Sequence, residues 1–176
     1  VYTGTRADRK RALEDEEMRK VFGRLPELPE VTPDLRHAQN LFILMFLLRG
    51  LPFVDLAYLR KSDLRDNVIT YRHRKTGRSL SVTLAPEAMV LLRRYMDRNE
   101  SSPYLFPILS SDEGTEEAYR EYQLALRSFN QKLMLLGKLM GMEGKLSSYT
   151  ARHTWATTAY HCEIHPGIIS EAMGHS

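Results

Sequence analysis

A mainly α-helical domain with a small antiparallel β-hairpin or three-stranded sheet is what these 176 residues predict, on three observations. Apolar residues recur at steps of three and four through most of the chain, one segment at 67–84 switches to a period of two, and Pro, Gly and hydroxyl residues stand where such segments begin and end. With 43% apolar residues the chain can bury one core of ordinary size. No internal repeat, low-complexity tract or long linker divides it.

The elements follow in order. A first helix over 12–22 stops at Gly23, before a loop holding Pro26 and Pro29. Thr32 then offers an N-cap hydroxyl, Pro33 the fixed φ suited to the first helical position, and Asp34 a charge matched to the first turn, so a second helix opens there and runs to near Gly50. Its second half, 41–48, is apolar on all sides; at about eight residues it is far short of the ~20 of a membrane span, so it belongs at the centre of the core. A short helix after Pro52 turns Phe53, Leu56 and Leu59 inward.

In 67–84, Val68, Thr70 and Arg72 alternate with Ile69, Tyr71 and His73, and Leu80, Val82 and Leu84 alternate with Ser79, Ser81 and Thr83. Lys75-Thr76-Gly77-Arg78 supplies turn chemistry between them, which makes a hairpin with a basic tip. Pro86 opens a helix to about 99, with Met89, Leu92 and Tyr95 inward. From 115 to 140, Tyr119, Tyr122, Leu126, Phe129, Leu133, Leu136 and Met140 mark one long amphipathic helix or two in line, all seven assigned to the core, with Gly137, Gly141 and Gly144 at its end. Ser147 or Ser148 caps a further helix to about 161, and Pro166 begins a last short one ending at Gly174.

Charge and cysteine content bound the function. Lys+Arg 25 against Asp+Glu 22 gives a formal charge of +3, too mild to announce a polyanionic partner. Two basic clusters stand out, Arg6, Arg9, Lys10 and Arg11, and then Arg72, Arg74, Lys75 and Arg78; either alone is read as solvated surface. Cys162 has no second cysteine to pair with, which points to a reducing compartment. No signal peptide opens the chain, and it starts on Val1 rather than Met, as a piece of a longer protein does. His161-Cys162-Glu163-Ile164-His165 lacks a fourth ligand at useful spacing, so no metal site is expected there, and no cofactor elsewhere.

The most informative stretch is Ser148-Tyr149-Thr150-Ala151-Arg152-His153-Thr154-Trp155, followed by Met173-Gly174-His175. Helical spacing puts Tyr149 and Arg152 on one face. Arg152, among Ala151, Trp155 and Ala156, is either a buried guanidinium answering carbonyls or an acid, or an anion binder, and the residues alone leave both open.

The order of elements resembles the catalytic domain of the tyrosine recombinases, or phage integrases, in particular those carried by integrative elements of Bacteroides-like bacteria. The likeness is carried by Arg49-Gly50-Leu51-Pro52-Phe53-Val54-Asp55-Leu56-Ala57-Tyr58-Leu59, by Tyr71-Arg72-His73-Arg74-Lys75-Thr76-Gly77, by Tyr149 through Thr157, and by Ile169-Ser170-Glu171-Ala172-Met173-Gly174-His175. It implies strand cleavage by a tyrosine hydroxyl on a DNA phosphodiester, giving a 3′-phosphotyrosyl link and a free 5′-hydroxyl, then reversal by a second strand, with neither ATP nor a metal ion. It implies further that Arg152 is the arginine whose fork holds two phosphate oxygens, that Lys75 is the general acid on the leaving 5′-oxygen, and that His175 donates to the scissile phosphate.

Two positions depart from the family pattern. Tyr149 stands where histidine is usual, and supplies a phenol that donates a hydrogen bond but stays neutral near pH 7. Aligning Asp55-Leu56 with the family's acid-Leu pair puts Pro52 at the first arginine, which makes Arg49 the nearest substitute, unless it serves the carbonyls at a helix end. Asp55 is then a brace for a cation. The attacking tyrosine follows the Gly-His pair by about nine residues in the family, beyond Ser176, so the 176-residue chain is expected to bind DNA without forming an adduct.

On this resemblance residues 1–12 are the remnant of an interdomain linker and 13–176 the catalytic domain, cut before its nucleophile. The partner is double-stranded DNA, the intact protein a homotetramer on two duplexes in the bacterial cytoplasm at the nucleoid, and the 176-residue chain a monomer. Two other classes stay in view: a DNA-binding module of the same fold without catalysis, and a helical protein-interaction domain.

Overall fold

The computed structural model describes residues 15–142 and 146–161, and their order is helix, helix, helix, a 3-10 turn, three strands, then three helices. Helix α1 spans Asp15–Phe22 and α2 spans Pro33–Leu47. Thr32 is the N-cap of α2: its side chain accepts from the Leu35 amide at 3.4 Å, with Pro33 at the start and Asp34 in the first turn. Gln39, buried in α2, closes the end of α1 by donating from Nε2 to the carbonyls of Val21 at 2.8 Å and Gly23 at 2.9 Å. A buried amide is thereby satisfied by the carbonyls that a helix end leaves open.

The apolar half of α2 is the centre of the molecule, as its sequence predicts. Phe42, Leu44 and Met45 are wholly buried, and Leu41, Phe46 and Leu48 nearly so. Each such side chain contributes about 1.5–3 kcal/mol on burial. Helix α3 (Phe53–Tyr58) follows, with Phe53 stacked on Phe129 at 4.9 Å, and a 3-10 turn (Lys61–Asp63) leads into the sheet.

The sheet is antiparallel in the order β1-β2-β3, with β1 at Leu64–Arg65, β2 at Val68–Arg72 and β3 at Ser79–Thr83. Ile69 pairs with Val82 and both are buried, whereas Thr70 pairs with Ser81 on the outer face, their hydroxyls 3.0 Å apart. The two-residue period therefore sets the register that places Ile69, Tyr71 and His73 inward.

Helix α4 spans Pro86–Tyr95, α5 spans Glu116–Leu139 and α6 spans Ser148–His161. Helix α2 packs against α4, α5 and α6 together, and α5 also touches α3 and α6. Helix α4 ends four residues before the expected 99, because Asp97 and Asn99 accept the amides of Asn99 and Ser101 and so offer the backbone local partners other than a helix.

Helix α5 is a single helix capped by Thr115, which accepts from Ala118 at 3.2 Å. Phe129, Leu133 and Leu136 are buried and Tyr122, Leu126 and Met140 are packed against the core, but Tyr119 is 53% exposed, a correction to its core assignment. In the first turn of α5 the Tyr119 ring lies beside that of Tyr122, 6.2 Å away and tilted by 44°, and stays open to solvent. Gly137 is buried within the helix, and the chain turns at Gly141 (φ 66) with the Met142 amide donating to the Gly137 carbonyl. Gly144, the metal-ligand pattern from Cys162 to His165, the expected helix at 166–174 and the linker 1–12 lie outside the described residues. Among the described residues no helix is long and apolar enough to cross a membrane.

Candidate functional site

The turn that ends α2 builds one side of the site. Arg49 (φ 62) and Gly50 (φ 70) both take the left-handed conformation, and the Leu51 amide reaches back to the Met45 carbonyl at 3.0 Å. That turn lies directly against α6: a Cβ added to Gly50 would sit 2.9 Å from the Cα of Arg152 and 3.3 Å from the Cβ of Trp155. Only glycine permits the approach. On α6 Ala151 and Thr154 point inward and are buried, which leaves Arg152 exposed. Arg152 is therefore a surface guanidinium, and the buried alternative falls away.

Asp55, in the first turn of α3, is 2% exposed. Its Oδ1 accepts the backbone N–H of Arg74 at 3.0 Å, and its Oδ2 lies 3.6 Å from His73 Nε2, another buried group. The expected brace is real, but its partners are the backbone and a histidine of the hairpin rather than the side chain of a cation. Burial pushes the Asp55 carboxyl above the usual carboxylate range, opposed by the Arg74 amide, by the facing His73 ring and by the charges of Arg74 and Arg152. Burial likewise pushes the Tyr71 phenol up to about 12, with Asp55 adding to the effect and Arg152 and Arg49 opposing it.

These influences converge on Tyr71 of β2, which feels Asp55 from α3, Arg152 from α6 and Arg49 from the α2 turn, while Arg152 also acts on Asp55. Beside it opens a pocket of about 360 Å³ lined in part by Asp55, Tyr58, Arg60, Tyr71, His73, Arg74 and Glu113. Arg74 lies over the Tyr58 ring at 3.7 Å and 3.8 Å from Glu113, which also sits 3.5 Å from Arg60.

Of the residues singled out in the sequence, Arg152 and Arg49 both act on Tyr71, and the turn that carries Arg49 packs on the backbone of Arg152. Lys75 is exposed in the turn between β2 and β3, one residue after the amide that Asp55 holds. Tyr149 is 63% exposed in the first turn of α6, its ring 6.3 Å from that of His153. Pro52 is the N-cap residue of α3 and donates nothing there. His175 lies outside the described residues. Among the described residues no group of three or more His, Cys, Asp and Glu side chains could hold a metal ion.

The sequence reading missed Tyr71 and His73. A signal existed: both share the inward parity of Ile69, and a histidine on the inward face of a hairpin asks for a buried partner.

The sequence profile described as the Phage integrase family matches residues 13–176. The chain belongs to that family. Solved structures agree in fold: a crystal structure of XerA recombinase superposes with a TM-score of 0.56 at 20% identity, covering 94% of this chain and 54% of that one. The Tn1549 transposon integrase in complex with circular intermediate DNA gives 0.57 at 16% identity, covering 95% and 58%, and a lambda integrase tetramer bound to a Holliday junction gives 0.54 at 16%, covering 94% and 46%. This phage integrase family member thus spans about half the length of those proteins. Among curated protein sequences none matches it.

Proposed function

We propose that the chain is the catalytic domain of a site-specific DNA recombinase that integrates or excises a mobile element, of the kind found in integrative elements of Bacteroides-like bacteria. Residues 13–176 form that domain and 1–12 the end of an interdomain linker. The observation that carries the reading is the seating of the Gly50 turn against the backbone of Arg152, with Arg49 and Arg152, from distant parts of the sequence, both acting on Tyr71. Two arginines whose charges reach one neighbourhood suit a diester phosphate whose charge grows in the transition state.

In this scheme Arg152 holds two non-bridging oxygens and Arg49 supplies the cation that Pro52 cannot. Lys75 gives a proton to the departing 5′-oxygen, Tyr149 donates a hydrogen bond as a neutral phenol, and His175 donates to the same phosphate. None of the nine tyrosines follows Gly174-His175, so the 176-residue chain binds DNA without forming a covalent adduct. The whole protein works as a tetramer on two duplexes in the bacterial cytoplasm, and the 176-residue chain is a monomer. Fluorescence anisotropy at about 100 mM salt shows duplex binding that weakens as salt rises, and Arg152→Ala or Lys75→Ala lowers the slope of that dependence by ~0.9 for each phosphate left without its cation. A protein-interaction domain gives no binding in that assay.

A version extended past the tyrosine cleaves a suicide substrate, and Arg152→Ala slows it by ~10²–10³. A covalent adduct trapped with the 176-residue chain, or an Arg152→Ala enzyme at full rate, overturns the scheme. Pro52 and Tyr149 favour a second reading, a DNA-binding module without catalysis, for which the extended version binds and never cleaves.

A further inference from the structure

Asp55 Oδ2 and His73 Nε2 are both buried, neither has a hydrogen-bond partner, and they face each other across 3.6 Å. The other edge of the imidazole fixes the tautomer. Thr76 approaches Nδ1 with its amide N–H at 3.4 Å and its hydroxyl at 3.4 Å, so Nδ1 accepts and the proton resides on Nε2, pointing at the carboxylate. His73 is also the anchor of the turn through its backbone, its amide donating to Arg78 at 2.8 Å and its carbonyl accepting from Gly77 at 2.7 Å.

We infer that His73 is a positioning residue for Lys75, its imidazole bridging Asp55 on α3 to Thr76 in the turn and thereby fixing where the lysine between Arg74 and Thr76 is presented. The inference rests on the role proposed above for Lys75. A shift of about half an ångström brings Nε2 to hydrogen-bond length from Oδ2, and both atoms are shut away from water that could substitute. With Asp55 Oδ1 on the Arg74 amide and Oδ2 facing His73, one carboxylate meets the two residues that follow the end of β2. A leucine at 73 would leave Oδ2 buried without a donor and release Thr76. A glutamine, with an amide donor and a carbonyl acceptor, can serve both ends.

The test has two arms on the 176-residue chain. By hydrogen exchange, His73→Leu speeds exchange of the Arg74 and Gly77 amides at least about tenfold while the Leu44 and Met45 amides of α2 keep their rates, and His73→Gln restores most of the protection. In the second arm duplex affinity is measured for His73→Leu, Lys75→Ala and the double variant, and the two losses are strongly non-additive because one acts through the other. Unchanged Arg74 and Gly77 amides, acceleration spread equally over the core, no rescue by glutamine, or additive losses would each overturn the inference. If no variant and not the parent chain binds duplex, the DNA reading of the site fails, and the exchange arm alone then decides whether His73 holds the turn.

Discussion

Gly50→Ala tests the packing on which the site depends. At φ 70 any residue with a Cβ is strained, by about 1–2 kcal/mol. The new methyl must also occupy a point 2.9 Å from the Cα of Arg152, which is backbone and cannot swing aside, so α6 has to be pushed off the turn at a further cost of about 1–3 kcal/mol. The expected loss is thus about 2–5 kcal/mol, roughly 5–15 °C in melting temperature for a chain of this size. Gly114 (φ 86) and Gly141 (φ 66) are the controls, since a Cβ there meets nothing within 4 Å and incurs only the conformational part. Thermal melts followed by circular dichroism compare the three alanine variants, and duplex affinity is read on each. Gly50→Ala should be the least stable by at least about 1 kcal/mol and should alone weaken DNA binding. If it matches the controls, the turn does not seat Arg152 and the pairing with Arg49 is an accident of proximity.

Tyr71 makes a second prediction, in alkali. Burial holds the phenol up to about 12, above the ordinary 10, so the folded state keeps the proton longer, and stability falls as pH rises from 10 toward 12, on the order of 2–3 kcal/mol at most. The difference in phenolate absorbance between the parent and Tyr71→Phe should show one group titrating near 12, and Tyr71→Phe should lose less stability across that window; a difference titration near 10 contradicts it. The two threonine caps should differ: Thr115→Ala costs about 1–2 kcal/mol in denaturant melts and Thr32→Ala less than 1, because the Thr32 bond is long at 3.4 Å while Thr115 both accepts from Ala118 and donates to Asp112 at 2.6 Å. Arg49→Gly should change stability by under ~1 kcal/mol, relief of the left-handed strain offsetting the freer unfolded chain, yet lower duplex affinity.

What the sequence made legible divides by physical cause. Thr32-Pro33-Asp34, the apolar run of α2 and the alternation around Ile69 and Val82 are local signals that tertiary structure had no reason to override, and each element stands where its pattern puts it. Strand β1 has two residues, too few to display a period, and its pairing of Leu64 with Ile69 emerges only when the sheet forms. Tyr119 keeps the helical spacing but lies one turn inside the start of α5, beyond the reach of the elements that cover Tyr122 and Phe129. In the site, Arg152 was legible from its motif, whereas its exposure was not, because apolar neighbours in sequence face different sides of a helix.

Proline at position 52 has a physical reason in the same turn. Proline suits its position as N-cap of α3, with φ −62, and leaves the site without a side-chain donor. Three residues earlier Arg49 holds a conformation that glycine would adopt freely, and its buried Nε has no partner among the hydrogen bonds of the fold. Among the described residues no side-chain hydrogen bond or ion pair of Arg49 offsets its strain, so it is poorly explained as a stabilising residue: a helix end is closed with less strain by glycine, and Gly50 is already there. What the left-handed turn does accomplish is to bring the charge of Arg49 to bear on Tyr71, the same phenol on which Arg152 acts. If Arg49→Gly lowers duplex affinity without lowering stability, a cation displaced by three positions along the backbone meets the need that Pro52 leaves open, and a site of this kind is then better sought by where its charges converge than by whether each stands at its usual place in the motif.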